Sequence, residues 1–162
     1  MILTPELAFE RLRKSVPSYT KWTFFSAFIL GLVAHLYMLT NKLPNHDDIY
    51  HLFQCDYGTQ SGRWFLPTVL QWDGDFSMPW LIGVLSLLCL AGTACITTAL
   101  FRIHRPVACV LTSALLVSFP TVASTFTYMF TADAYFFGLF LAACAAYAVS
   151  RFPIAGLPLS TV

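Results

Sequence analysis

The sequence predicts an all-α membrane protein with about four transmembrane helices, a short N-terminal interfacial helix and a large first outer loop. Three observations predict this fold class. Hydrophobic residues make up 57% of the 162 residues and charged residues only 10%, whereas a soluble domain carries roughly a quarter charged residues. Long apolar runs recur along the chain, and most of the basic residues lie between them on one predicted side of the membrane.

The N-terminal segment predicts a short helix on the membrane surface. Thr4, Pro5 and Glu6 form a helix start with an N-cap, a proline at the first position and an early acid. Leu7 and Leu12 then contribute to an apolar stripe beside basic residues, which is typical of an interfacial helix. A tail without fixed structure is the alternative interpretation of this segment.

Four apolar runs predict transmembrane helices at about residues 22–40, 80–101, 106–122 and 134–150. Helices of about 20 residues cross a hydrocarbon core of about 30 Å. Pro120 interrupts the third run. It predicts a break or kink, because proline lacks a backbone N–H and its ring clashes with the preceding turn. His35 is the one side chain within the first run that titrates near neutral pH, and we interpret it as packed or snorkelling.

The basic residues predict the orientation of the chain in the cell membrane. Seven of the nine basic residues lie on one side of the predicted helices: Arg11, Arg13, Lys14, Lys21, Arg102, Arg105 and Arg151. By the positive-inside rule this side is cytoplasmic, so both termini should be cytoplasmic and the loop at residues 41–79 should face outwards. The chain has no basic tract of the kind that binds nucleic acid, so we expect no nucleic-acid partner.

The outer loop contains a concentrated polar stretch, "NHDDIYHLFQCDYGTQSGRW" from Asn45 to Trp64. Asp47 and Asp48 have two interpretations that the spacing leaves open. They are either first-turn acids that complement a helix dipole after an Asn45 cap, or a general base in a reactive site. His46 beside the two acids leaves a divalent metal ion possible as well, although the spacing matches no compact metal motif.

Other candidate site residues lie near this stretch or on the same side of the membrane. Arg63 has the planar fork that binds phosphate through two hydrogen bonds. Tyr50 and Trp64 offer flat faces to a sugar ring, or anchor the loop in the membrane interface. Asp133 lies at the entrance to the fourth run. There it either caps that helix, with Thr131 as an alternative cap, or contributes an acid to a site in the membrane.

Three segments in their order along the chain carry a resemblance: "NHDDIY", "GRW" and "FPTVASTFTYMFTADAY". Together with the preceding membrane helix they resemble the Gtr-type glucosyltransferase domain, whose architecture is similar to that of the GT-C glycosyltransferases. The resemblance runs from about residue 20 to residue 152. Members of this family are longer than this chain. Residues 1–162 are therefore expected to form the N-terminal part of one transmembrane glycosyltransferase domain, which later helices or a second chain would complete.

The resemblance implies an activity and assigns roles to residues. It implies inverting transfer of a sugar, most simply glucose, from a polyprenyl-phosphate donor to a surface glycan such as O-antigen on the outer face. Asp47 or Asp48 would be the general base, no cofactor is required, and a divalent metal remains open. The implied substrate-binding residues are Arg63, Trp64, Asp133, Tyr50 and His46. The alternative is a non-catalytic small membrane subunit or a flippase-like partner.

Overall fold

The computed structural model describes residues 16–43, 63, 65–70 and 78–151. These residues form six helices and, within those ranges, no strand, which confirms the all-α prediction. The helices are α1 (Ser18–Thr40), α2 (Leu66–Leu70), α3 (Pro79–Leu100), α4 (Pro106–Val117), α5 (Pro120–Phe126) and α6 (Met129–Arg151). The predicted interfacial helix at residues 1–15 lies outside the described residues.

Three of these helices, α1, α3 and α6, are long and apolar enough to cross a membrane. Helices α4 and α5 form a fourth span if they are counted together, with a bend of 49° between them. This confirms the prediction of about four spans. The break lies where the sequence predicted it, because α4 ends at Val117 and α5 begins at Pro120.

The fourth span begins earlier than the sequence predicted. Helix α6 starts at Met129 rather than near residue 134, so Asp133 lies inside the helix and does not cap it. The prediction that Asp133 or Thr131 caps this helix was wrong. Met129, Ala132 and Phe136 recur at helical spacing and are all buried in the main apolar cluster, so packing extends the helix towards its N-terminus.

Helix α3 lies at the centre of the bundle, in contact with α1 on one side and with α6 on the other. Two glycines allow α1 and α3 to approach closely. A Cβ on Gly31 would lie 2.6 Å from Cδ2 of Leu87, and a Cβ on Gly83 would lie 2.5 Å from Cγ of Leu39. Each helix thus accepts a leucine of the other at a glycine, an arrangement typical of helices packed in lipid.

Polar side chains join the helices at the end of the bundle where α1 and α4 begin and α3 and α6 end, which we call the Arg102 end. The Ser113 hydroxyl of α4 donates to the Thr23 carbonyl of α1 at 3.0 Å. The Thr23 and Thr98 hydroxyls lie 3.4 Å apart. Such hydrogen bonds hold transmembrane helices together where the hydrophobic effect is absent. We call the opposite end, which contains α2 and α5, the Arg63 end.

We predict that Gly83→Ala destabilises the bundle, whereas Gly138→Ala stabilises it. Overpacking against Leu39 destabilises by about 1–3 kcal/mol. The higher helix propensity of alanine offsets only about 1 kcal/mol of this. At Gly138 an added Cβ has no neighbour within 4 Å among the described residues, so only the propensity gain of about 0.5–1 kcal/mol remains. Unfolding in detergent micelles measures both variants. Equal stability of the two variants would contradict the close approach of α1 and α3.

Candidate functional site

A polar cleft of about 340 Å³ lies at the Arg63 end, between Arg63, three residues before α2, and the helices α5 and α6. We call it the polar cleft. Its walls carry one guanidinium, several hydroxyls and aromatic rings, from Arg63, Thr121, Ser124, Thr125, Tyr128, Phe130, Thr131 and Tyr135. Among the described residues no carboxylate lines it.

The break at Pro120 places the hydroxyls of α5 in this cleft. Ser and Thr side chains recur through α5, and Pro120 occupies its first turn, where its missing N–H costs nothing. The Thr125 hydroxyl donates to the Thr121 carbonyl at 2.8 Å. Because that bond uses the proton, the oxygen of Thr125 is left to accept a hydrogen bond from a ligand hydroxyl.

Arg63 reaches the polar cleft from the segment between α1 and α3, because α2 is anchored on α6. The backbone N–H of Leu66 donates to the Arg63 carbonyl at 3.1 Å, which fixes the chain just before α2. Helix α2 packs against α6 and buries Val69. The exposed Arg63 side chain thus lies beside hydroxyls that follow it by about 60 residues. Its guanidinium suits a phosphate or a carboxylate.

An apolar groove of about 660 Å³ adjoins the polar cleft, and we call it the apolar groove. It runs between α3, α4 and α6 and is lined by aliphatic side chains such as Leu100, Leu115 and Leu139. Thr121 lines both the polar cleft and the apolar groove, so the two lie next to each other at this residue. A polar cleft beside an apolar groove is an arrangement that suits an amphiphilic ligand.

Asp133 belongs to α6 but lies away from the polar cleft. Thr131 and Tyr135, two positions on either side, line the cleft, and successive helix residues turn by about 100°, so Asp133 faces the opposite side. There its carboxylate is within electrostatic range of Cys89 on α3. Only 3% of Asp133 is exposed. Neither carboxylate oxygen has a hydrogen bond of ordinary geometry among the described residues, although the backbone N–H groups of Asp133 and Ala134 interact with the carboxylate. A role of Asp133 in substrate binding stays a prediction.

Ser86 on α3 is a second buried polar group without a partner in the described part of the chain. It precedes Cys89 by three residues, so the two lie on the same face of α3. Most hydroxyls in the spans, such as those of Thr93 and Thr97, donate to the carbonyl four residues earlier. The Ser86 hydroxyl makes no such bond among the described residues.

The remaining predicted site residues lie outside the described residues, so their roles stay predictions. They are His46, Asp47, Asp48, Tyr50 and Trp64. The described ranges contain no group of three or more His, Cys, Asp or Glu side chains that could hold a metal ion. The possibility of a divalent metal at His46 and the two aspartates is therefore untested.

The sequence interpretation missed the hydroxyls of the polar cleft. The segment "PTVASTFTY" is dense in Ser, Thr and Tyr within a membrane-embedded stretch, and that density was the signal. Hydroxyls inside transmembrane helices usually bond to their own backbone. Here Ser124, Thr125 and Tyr128 line the cleft, although the Thr125 hydroxyl also bonds to its own helix.

We predict that Asp133→Leu stabilises the protein by about 1–3 kcal/mol, because it removes two buried oxygens that lack partners. Asp133→Asn is the matched control, since it keeps polar atoms at the same place and should bring no such gain. Unfolding of both variants in detergent micelles measures the difference. A loss of stability in Asp133→Leu would show that the carboxylate has a stabilising partner beyond the described residues.

Comparison of the sequence with known protein families assigns the chain to a family. The family model described as "Glucosyl transferase GtrII" matches residues 36–156, which include α2 to α6, the polar cleft and the apolar groove. No curated protein and no solved structure matches the chain.

Proposed function

The chain belongs to the glucosyl transferase GtrII family, and from this premise we propose that it forms the donor site of a membrane glucosyltransferase. The donor would be polyprenyl-phosphate-glucose and the acceptor a surface glycan such as O-antigen, with inversion at the anomeric carbon. The described helices would provide binding surfaces for the donor, and the outer loop would provide the base.

The observation that carries this proposal is that the polar cleft and the apolar groove lie next to each other and share Thr121 as a lining residue. A polyprenyl-phosphate sugar has a charged, hydroxyl-rich head and a long apolar tail. The Arg63 guanidinium and the hydroxyls of α5 match the head. The groove between α3, α4 and α6 matches the tail, because its walls are mainly aliphatic.

The proposed reaction needs one base and one group that stabilises the leaving phosphate. Asp47 or Asp48 would take the proton from the acceptor hydroxyl as that oxygen forms its bond to the anomeric carbon. The bond from the anomeric carbon to the phosphate oxygen breaks, and its electron pair leaves with the polyprenyl phosphate. Arg63 would stabilise this negative charge. No described carboxylate lines the polar cleft, which is consistent with a base supplied by the segment of Asp47 and Asp48.

The remaining predicted residues would complete the site. Tyr50 and Trp64 would present flat faces to sugar rings, and His46 would supply a further polar group, whereas Asp133 lies outside the polar cleft. We place the Arg63 end on the outer side of the cell membrane, because the basic residues concentrate at the Arg102 end. A membrane-impermeant thiol reagent on intact cells tests this orientation, since it should label Leu43→Cys and not Ile103→Cys.

We predict that Ala143→Trp, which fills the apolar groove, raises the KM for a long-chain polyprenyl donor by about tenfold or more, equivalent to about 1.4 kcal/mol of binding. Ala145→Trp is the matched control, because Ala145 does not line the groove and lies about 200° from Ala143 around α6. Transfer of labelled glucose is measured in membranes that contain the protein. Equal KM values for the two variants would contradict tail binding in the groove.

We predict that Asp47→Asn and Asp48→Asn differ in their effects. The variant that removes the base should lose about 10²–10⁴ in transfer rate while its melting stays near that of the unchanged protein. The variant that removes only a helix-dipole contact should lose about 0.3–1 kcal/mol of stability and keep much of its activity. The assay is glucose transfer, with unfolding measured in parallel. Near-normal transfer by both variants would reject a catalytic role for this stretch and leave the capping interpretation.

A further inference from the structure

The end of α4 presents backbone carbonyls that have lost their helical donors. The last carbonyls of any helix lack intrahelical partners. Here Pro120 cannot donate to the Leu116 carbonyl, and its ring clashes with the preceding turn, so the helix breaks. The Ser118 amide and hydroxyl both bond to the Ala114 carbonyl, at 3.0 and 2.6 Å. The Val117 carbonyl would have bonded to the Thr121 amide in a continuous helix. In a membrane such a group must find another partner.

His35 of α1 supplies that partner. Its Nε2 lies 2.8 Å from the Val117 carbonyl oxygen. A carbonyl oxygen only accepts hydrogen bonds, so Nε2 carries the proton and donates. The His35 side chain is 6% exposed, which places the bond in the interior of the bundle. It joins α1 to the end of α4 across 82 residues of sequence.

The same imidazole also contacts the other half of the broken span. Its ring centroid lies 4.5 Å from that of Phe126, at the end of α5. Phe126 is fully buried and packs in turn on Phe136 of α6, with a centroid distance of 5.0 Å. His35 therefore contacts α4 through a hydrogen bond and α5 through a ring.

We propose that His35 is a positioning residue that fixes α5 relative to α4, so that Thr121, Ser124 and Thr125 face the polar cleft. Loss of the bond to Val117 leaves a buried carbonyl without a donor, and α4 and α5 then change their mutual angle to reach another partner. The hydroxyls of α5 move with that change. The consequence for donor binding rests on the proposed function, whereas the position of α5 does not.

Three substitutions of His35 separate this role from ordinary packing. Gln places an amide N–H close to the position of Nε2, so His35→Gln should keep the bond to Val117. Asn places its amide N–H near the position of Nδ1, so His35→Asn should lose the bond while remaining polar. His35→Leu keeps apolar volume and removes the donor. If His35 acts through this hydrogen bond, His35→Gln should behave like the unchanged protein, and His35→Asn and His35→Leu should not.

The position of α5 is measured with a cysteine in the cleft. Ser124 is exposed and lines the polar cleft. The variant Ser124→Cys therefore reports the position of α5 through its rate of reaction with an impermeant thiol reagent. Cys55→Ser is combined with it to remove the cysteine of the outer loop. We expect the rate in His35→Gln to match that with His35, and the rates in His35→Asn and His35→Leu to change several-fold. Leu43→Cys at the end of α1 is the control, because general unfolding changes both rates.

Donor kinetics provide a second measurement. We expect His35→Leu to raise the KM for polyprenyl-phosphate-glucose several-fold relative to His35→Gln, since misplaced hydroxyls weaken donor binding. A variant that is only less stable would lower kcat through loss of active protein and leave KM unchanged. If the protein transfers no glucose even with His35 intact, the proposed function fails and the labelling rates still decide the role of His35.

Three results would overturn the inference. One is an unchanged Ser124→Cys labelling rate in His35→Leu, which would show that α5 keeps its position without the bond. Another is a labelling rate in His35→Gln that changes as much as in His35→Leu, which would show that ring packing and not the hydrogen bond sets the position. Equal changes at Leu43→Cys and Ser124→Cys would likewise count against it, as general unfolding.

Discussion

Pro120 has no backbone N–H, and the arrangement of the Arg63 end depends on how the chain accommodates that absence. A lipid environment offers no water to the carbonyls of the preceding turn. Helix α4 ends at Val117, whose carbonyl accepts a hydrogen bond from the imidazole of His35. Helix α5 then begins with Pro120 in its first turn, where no N–H is needed. The resulting bend of 49° takes the hydroxyls of α5 out of the line of the span.

The two ends of the bundle use hydroxyl groups differently. At the Arg102 end, Thr23, Thr98 and Ser113 are buried and bonded to one another or to backbone carbonyls, so they join three helices. At the Arg63 end, Ser124 and its neighbours line a cleft that also contains a guanidinium. The hydroxyls at the Arg102 end are enclosed between helices, whereas those at the Arg63 end line an open cleft. This contrast favours the Arg63 end as the place where a ligand could bind.

Local chemistry made much of the fold predictable from the sequence. The long apolar runs predicted the spans, and Pro120 predicted the break, because hydropathy and a missing N–H are local properties. The start of α6 was mispredicted because it is set by tertiary contacts, in which Met129 and Phe136 pack in the core. The bond between His35 and Val117 joins residues 82 positions apart. No local pattern in the sequence indicates such a pair.

The candidate site was predictable only in part, for a similar reason. Arg63 was identified from its chemistry, and the structure places it in the polar cleft. The facing hydroxyls were missed, because a Ser or Thr in an apolar run normally indicates a bond to its own helix. Asp133 was identified from its charge, but its direction depends on the rotation of α6, which contacts with α3 determine. Asp47 and Asp48 lie outside the described residues and remain sequence predictions.

Helix α6 carries two polar features on opposite faces at nearly the same level. One face places Thr131 and Tyr135 in the polar cleft, and the other places Asp133 on the side of α3, within electrostatic range of Cys89. A buried carboxylate without partners opposes the packing of α6 on α3, while Phe136 and Ala132 favour it through the apolar cluster. Because one helix carries both features, any rotation that exposed Asp133 would also move Thr131 and Tyr135. The geometry of the polar cleft is thus tied to the packing that keeps Asp133 buried.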